Sequence, residues 1–108
     1  MDKRKAPEIA INYIDFLRKI DPNIKKAYLF GSYAKGNAIK NSDIDLAIVF
    51  ENLSDTFDMQ VLLMKLRRKF DNKIEPHAFR DSDFNTSNPL ANEILSPTFA
   101  KKNKSNYI

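Results

Sequence analysis

Two aspartates one residue apart, Asp43 and Asp45, stand at the head of an apolar run that continues through Leu46, Ala47, Ile48, Val49 and Phe50. Residues two apart in a strand face the same side, so the two carboxylates project together while Ile44, Leu46 and Ile48 point to the opposite, buried face. Adjacent carboxylates repel and raise each other's proton affinity unless a cation sits between them. A hard divalent ion such as Mg²⁺ accepts carboxylate oxygens together with substrate phosphates, which suits the pair to a metal–nucleotide site. The plain alternative is two acids ending a loop on an exposed strand face. An Asp-x-Asp by itself favours that alternative.

Gly31-Ser32 shifts the balance. It ends an earlier apolar run (Ala27, Tyr28, Leu29, Phe30) and lies ten residues before Asp43. Glycine lets the backbone turn sharply and approach a ligand, while Ser32 offers a hydroxyl and an amide to phosphate oxygens. An ordinary strand-ending turn would also use Gly-Ser. A third acid, Glu75, falls in a run where Ile74, Pro76 and Ala78 alternate with Lys73, Glu75, His77 and Phe79. A buried mid-strand carboxylate is costly without a partner, and a place beside the aspartates and a metal would supply one. Pro76 cannot donate to a sheet ladder and argues for an edge strand, where an exposed Glu75 needs no function. His77, the chain's one histidine, reads as structural.

These residues need elements to hold them. Ala6-Pro7 opens a helix whose apolar stripe is Ile9, Tyr13, Phe16, Leu17 and Ile20; Asp21-Pro22-Asn23 ends it. Ile24 to Phe30 reads as a strand, Ser32 to Lys35 as a short helical turn, and Asp43 to Phe50 as a second strand. Ser54 is expected to cap a helix with the stripe Met59, Leu62, Leu63, Leu66 and Phe70. Arg67, Arg68 and Lys69 suit the negative end of its dipole, which is explanation enough for that basic cluster. Lys73 to Phe79 is a third strand, followed by a polar loop and a short helix from Pro89 to Leu95. The alternation gives an α/β (α+β) fold with helices packed on a sheet. The Phe30-to-Asp43 connection is short for a parallel crossover, so the first two strands are expected antiparallel and the sheet mixed.

Composition narrows the chemistry. The chain has 108 residues, 43% hydrophobic and 30% charged, the size and balance of one globular domain. With no cysteine and one histidine, thiolate sites, disulfides, cysteine nucleophiles and histidine-rich zinc sites are excluded. No apolar run approaches a membrane span or a signal peptide, and a cytoplasmic protein is expected. The net charge of +4 gathers in Lys3-Arg4-Lys5, one helix end and Lys101-Lys102-Asn103-Lys104. Solvated tails account for it better than a nucleic-acid footprint. Nucleic acid is therefore an unlikely partner.

The compound pattern Gly31-Ser32, ten residues, Asp43-Ile44-Asp45 resembles the signature of the DNA polymerase β-like nucleotidyltransferases. The short chain, with Ser42-Asp43-Ile44-Asp45-Leu46, Ile74-Glu75-Pro76-His77 and Asn88-Pro89-Leu90, is similar to the minimal nucleotidyltransferase antitoxins of HEPN/MNT toxin–antitoxin pairs. The resemblance implies a polymerase β-like fold over residues 1–98 and a lysine-rich tail at 99–108. It implies that Asp43 and Asp45 hold two Mg²⁺ ions, with Glu75 as the third carboxylate, and that Gly31, Ser32, Lys35 and Ser42 bind the nucleotide. The third acid of the family is often aspartate, so Glu75 departs from the commoner pattern.

Larger nucleotidyltransferases add a domain for the acceptor, and 108 residues leave no room for one. The acceptor is expected on another molecule, or in a cleft made by a homodimer or a hetero-oligomer with the toxin. Similarity to the minimal group implies transfer of AMP from ATP to a tyrosine hydroxyl of a cognate HEPN ribonuclease, as in type VII-like antitoxins. Phe99, Tyr107 and Ile108 are candidate contacts with it. The alternatives are a binding module that neutralises a toxin by occlusion, and a nucleotidyltransferase for a small-molecule acceptor.

Overall fold

Pro7 lies in the first turn of the first helix, α1 (Ala6–Ile20), with Glu8 beside it at the positive end of the dipole and Arg18 and Lys19 at the other end. The Asp21 carboxylate accepts the Asn23 N–H at 2.9 Å and turns the chain out of the helix. The computed structural model describes residues 5–35, 38–39 and 42–95, residues 34 and 35 by their backbone alone. The expected tail at 99–108, its Phe99, Tyr107 and Ile108, and the start at Lys3-Arg4 lie outside the described residues.

The remaining elements follow in the order β1 (Ile24–Phe30), α2 (Ser32–Lys35), β2 (Ile44–Phe50), α3 (Thr56–Leu66), β3 (Ile74–Arg80) and α4 (Pro89–Leu95). The sheet order is β1-β2-β3. β1 and β2 are antiparallel, and β2 and β3 are parallel, joined through α3 as a parallel crossover requires. The sheet is mixed, as the short first connection implied. No described helix is long and apolar enough to cross a membrane.

One face of the sheet carries Ala27, Leu29, Ile44, Leu46, Ile48, Phe50 and Ile74, all buried against α1 and Leu63 of α3. The other carries Phe30, Ala47, Val49 and Phe79 beneath Ala91 and Ile94 of α4. β2 is thus covered on both faces, which explains why it reads as a nearly continuous apolar run.

Two expectations are corrected. The buried stripe of α1 is Ala6, Ala10, Tyr13, Ile14 and Leu17, while Ile20 is 54% exposed and Ile9 and Phe16 sit at its border. The two alanines put the least bulk where the helix meets the sheet, which rotates the buried face away from Ile20. α3 is capped by Asp55, whose carboxylate accepts the Asp58 N–H at 3.0 Å, and not by Ser54. The Ser54 carbonyl instead accepts from the Arg80 guanidinium.

Of the two tyrosines at the first-face core, Tyr33 has a buried hydroxyl without a hydrogen-bond partner among the described residues, and Tyr13 has a paired one. The Tyr13 hydroxyl donates to the Leu63 carbonyl at 2.8 Å and ties α1 to α3. Burial pushes the Tyr13 phenol well above its ordinary value, with the Arg67 charge opposing in part. Its ring meets Phe70 edge-on, and Phe70 in turn packs on Phe16.

Candidate functional site

The site forms where the second face loses its cover. In the register Phe30 lies opposite Asp45, and Asp45 opposite Glu75. One step further along, Tyr28, Ala47 and His77 form the next row, and Ala91 and Ile94 of α4 cluster with Phe30, Ala47, Val49 and Phe79. Cross-strand partners share a face, so Asp45 and Glu75 stand side by side at its open end. Both are half-buried.

Gly31 closes the neighbouring wall. Its φ of +76° lies in the left-handed region. A Cβ there would overlap Oδ2 of Asp45. The glycine of the Gly-Ser pair therefore does two things: it turns the chain out of β1, and it leaves the volume that the Asp45 carboxylate occupies. Ser32 follows at once in α2, half-buried. Lys35 belongs to α2 by its backbone, and its side chain lies outside the described residues.

Asp43 sits one residue before β2 and is exposed. Ser42 closes the preceding turn: its hydroxyl accepts the Ile39 N–H at 2.9 Å, and its own N–H donates to the Ile39 carbonyl at 3.0 Å. Ser42 thus shapes the approach to Asp43.

Two side chains approach the carboxylates, and a third holds the strand that carries Glu75. Nε2 of His77 is 3.9 Å from Oδ1 of Asp45, and its ring leans on Phe30 with centroids 5.3 Å apart, above the small side chain of Ala47. Nη1 of Arg67 donates to the Ile74 carbonyl at 2.8 Å and to Oε1 of Glu75 at 3.3 Å. Gln60 donates to the Pro76 carbonyl at 2.6 Å and accepts the Ala78 N–H at 2.9 Å. Residues 76 and 78 thus turn their backbone polar groups to the free edge, where the missing N–H of Pro76 removes no ladder bond. β3 is the edge strand of the described sheet, and Glu75 lies beside Asp45 on it.

Arg67 and Gln60 are the residues that sequence reasoning left out. Arg67 precedes Glu75 by eight positions. Such a short helix–turn–strand connection sets the last turn of the helix beside the first residues of the strand, and that spacing was the available signal. The basic cluster is more than a complement to the helix dipole, since Lys69 also lies over the Phe16 ring at 5.2 Å.

The donor types match a hard divalent cation, because Asp43, Asp45 and Glu75 offer only carboxylate oxygens. Among the described residues no three acidic, histidine or cysteine side chains are gathered closely enough to hold a metal ion. The structure brings Asp45 and Glu75 together, with Glu75 held by Arg67, and leaves Asp43 on the rim.

A family model described as polymerase beta, nucleotidyltransferase matches residues 12–104, a span that includes Gly31-Ser32, the two aspartates and Glu75. The chain belongs to this nucleotidyltransferase family. Over 62 residues it is 36% identical to protein adenylyltransferase MntA of Shewanella oneidensis, a match covering 57% of this chain and 45% of that protein. The chain thus spans less than half the length of that relative. The crystal structure of a candidate nucleotidyltransferase from Sulfolobus solfataricus superposes with a TM-score of 0.61 at 23% identity, covering 75% of this chain and 72% of the other. That likeness concerns the fold, which is the mixed-sheet nucleotidyltransferase architecture expected above.

Proposed function

We propose that this nucleotidyltransferase is the antitoxin of a HEPN/MNT pair and transfers AMP from ATP to a tyrosine hydroxyl of its cognate HEPN ribonuclease. The observation that carries the reading is the row Phe30, Asp45, Glu75 beside Gly31: two half-buried carboxylates side by side, next to a glycine turn whose missing Cβ makes room for the Asp45 carboxylate. The similarity to protein adenylyltransferase MntA supports AMP as the transferred group and a protein as its acceptor.

In this reading Gly31 and Ser32 receive the triphosphate through backbone N–H and hydroxyl groups, with Lys35 and Ser42 near the same phosphates. Asp43, Asp45 and Glu75 would hold Mg²⁺, which supplies charge neutralisation at the α-phosphate and the leaving pyrophosphate. The acceptor oxygen forms the new bond to the α-phosphorus. The bond from that phosphorus to the β-phosphate bridging oxygen breaks, and the hydroxyl proton leaves to a nearby base or water. Arg67 holds Glu75 until the nucleotide arrives, and His77 fixes the Asp45 side of the row. The protein acts in the cytoplasm, where ATP and the toxin meet.

The test is mass spectrometry of the purified chain with ATP, Mg²⁺ and the HEPN protein encoded beside it. The expected result is one or more added AMP masses on a toxin tyrosine, abolished by Asp43→Asn together with Asp45→Asn. Toxin neutralisation that survives this double substitution would replace transfer with occlusion.

A further inference from the structure

Helix α3 carries apolar residues on more than the side it buries. Leu63 is its one buried residue, whereas Phe57 is 75% exposed, Val61 37% and Leu62 43%. Phe57, Val61, Met64 and Arg68 follow one another at steps of four, three and four residues, continuing through the 3-10 turn Arg67–Lys69. That spacing forms a narrow stripe along one side of the helix, the pattern by which one helix receives another. A groove of about 290 Å³ follows its C-terminal half, bounded by Gln60 and Arg67 on one side and Lys65 on the other.

Two observations say what fits there. The groove is continuous with the site, because the same Arg67 that lines it pairs with Glu75. It is also basic toward that end, where Lys65 and Arg68 stand beside the Arg67–Glu75 pair, while the acids Asp55 and Asp58 lie at the Phe57 end. Strand addition alongside is blocked, since Gln60 and Arg67 already occupy the edge groups of Ile74, Pro76 and Ala78. Residues 96–108 of the chain contain three lysines and no acid, so their charge opposes this groove. A second copy brings the same excess of cations.

We infer that the outer face of α3 is the docking surface for the acceptor protein. The occupant is an amphipathic helix of that protein whose apolar stripe lies along Phe57, Val61 and Met64. Its acidic end meets Lys65 and Arg68, next to Glu75. The inference rests on the acceptor being a protein, as proposed above. It adds the surface and the chemistry of the recognised segment. The stripe spans only about three helical turns, roughly 16 Å at 1.5 Å per residue, which suits the brief encounters of an enzyme with a substrate.

The experiment is hydrogen exchange on the full chain alone and with the HEPN protein encoded beside it, with AMP addition measured by mass on the same samples. Amides within 57–68 are expected to gain protection in the complex. The exposed-site variant Phe57→Ser with Val61→Ser is expected to raise Kd by about tenfold or more, at an unchanged Tm. Lys65→Glu with Arg68→Glu should weaken the complex and flatten its salt dependence, which keeps the test alive if the first variant alters folding. No complex, protection elsewhere, protection already present in the chain alone through self-association, or binding within twofold of wild type in both variants would each overturn the docking surface. Protection at 57–68 without AMP transfer would break the transfer reading and leave the surface standing; transfer with protection elsewhere would do the reverse.

Discussion

The two faces of the sheet are built from the same three strands and serve opposite ends. The face under α1 and α3 is sealed, with apolar side chains from β1 to β3 and a tyrosine hydroxyl that finds a carbonyl. The face under α4 is sealed only along part of its length, because α4 is seven residues long and its cover ends with Phe30, Ala47, Val49 and Phe79. In the row that Phe30 shares, Asp45 and Glu75 stay half-exposed past that cover. The difference teaches where chemistry can sit on a small domain: the carboxylates keep access to water and ligand while the β2 residues behind them are held rigid from the other side. Chemistry here depends on incomplete cover, and stability on complete cover.

Substitutions should therefore divide by face. The largest effect is expected for Gly31→Val. A side chain there would strike the Asp45 carboxylate, and a φ of +76° costs a branched residue about 1–2 kcal/mol or more. The proposed nucleotidyl transfer should fall by about two orders of magnitude or more, with the protein still folded by circular dichroism. Asp45→Asn should remove activity to a similar degree with almost no change in Tm, since the group lies outside the sealed face; a large loss of stability would mean that the open face is structural after all.

Tyr13→Phe should do the opposite. It leaves the Leu63 carbonyl without its donor and costs about 1–2 kcal/mol, a fall in Tm of roughly 4–8 °C per kcal/mol for a domain of this size, with transfer preserved below the melting range. The pH dependence carries the same signature. The folded Tyr13 phenol holds its proton more tightly than the unfolded chain, whose value is near 10.0. That contribution is fully present below pH 10 and is lost as pH rises beyond it. Urea unfolding of wild type and Tyr13→Phe should converge in the alkaline range.

Gln60→Ala should cost about 1 kcal/mol by stripping partners from the Pro76 carbonyl and the Ala78 N–H, and light scattering should show more self-association through the uncovered edge. The smallest effect belongs to Lys25→Ala. The Lys25 to Asp81 contact of 2.9 Å joins two exposed side chains and raises the lysine's proton affinity through that bond. Thermal melts should not distinguish the variant from wild type.

The open face was largely legible before its geometry was known. The Asp43-Ile44-Asp45 alternation, the Gly31-Ser32 turn and the short connection between them pointed to an antiparallel pair with acids at one end. Pro76 marked the edge strand. What the sequence hid were contacts made across elements. Arg67 reaches Glu75 only because the 3-10 turn Arg67–Lys69 brings it round the β3 edge, and no periodicity records that. Burial on α1 was misjudged for the same reason: bulky Ile20 looks like core by spacing, yet the sheet accepts Ala6 and Ala10. Neither Asp55 nor Ser54 stands out as the cap by type alone, since both are good cap residues.

The overlap that a Cβ on Gly31 would make with Asp45 has a consequence for how such a sequence can change. The two halves of the signature share one volume, although fourteen positions separate them along the chain. Anything larger at Gly31 displaces the acid, and a longer acid at position 45 would press on the turn. Each constrains the other, so a change at one position is expected to require a compensating change at the other. Ser32 and Asp43 lie between these two anchors, so the segment that joins them is tied to the same site at both of its ends.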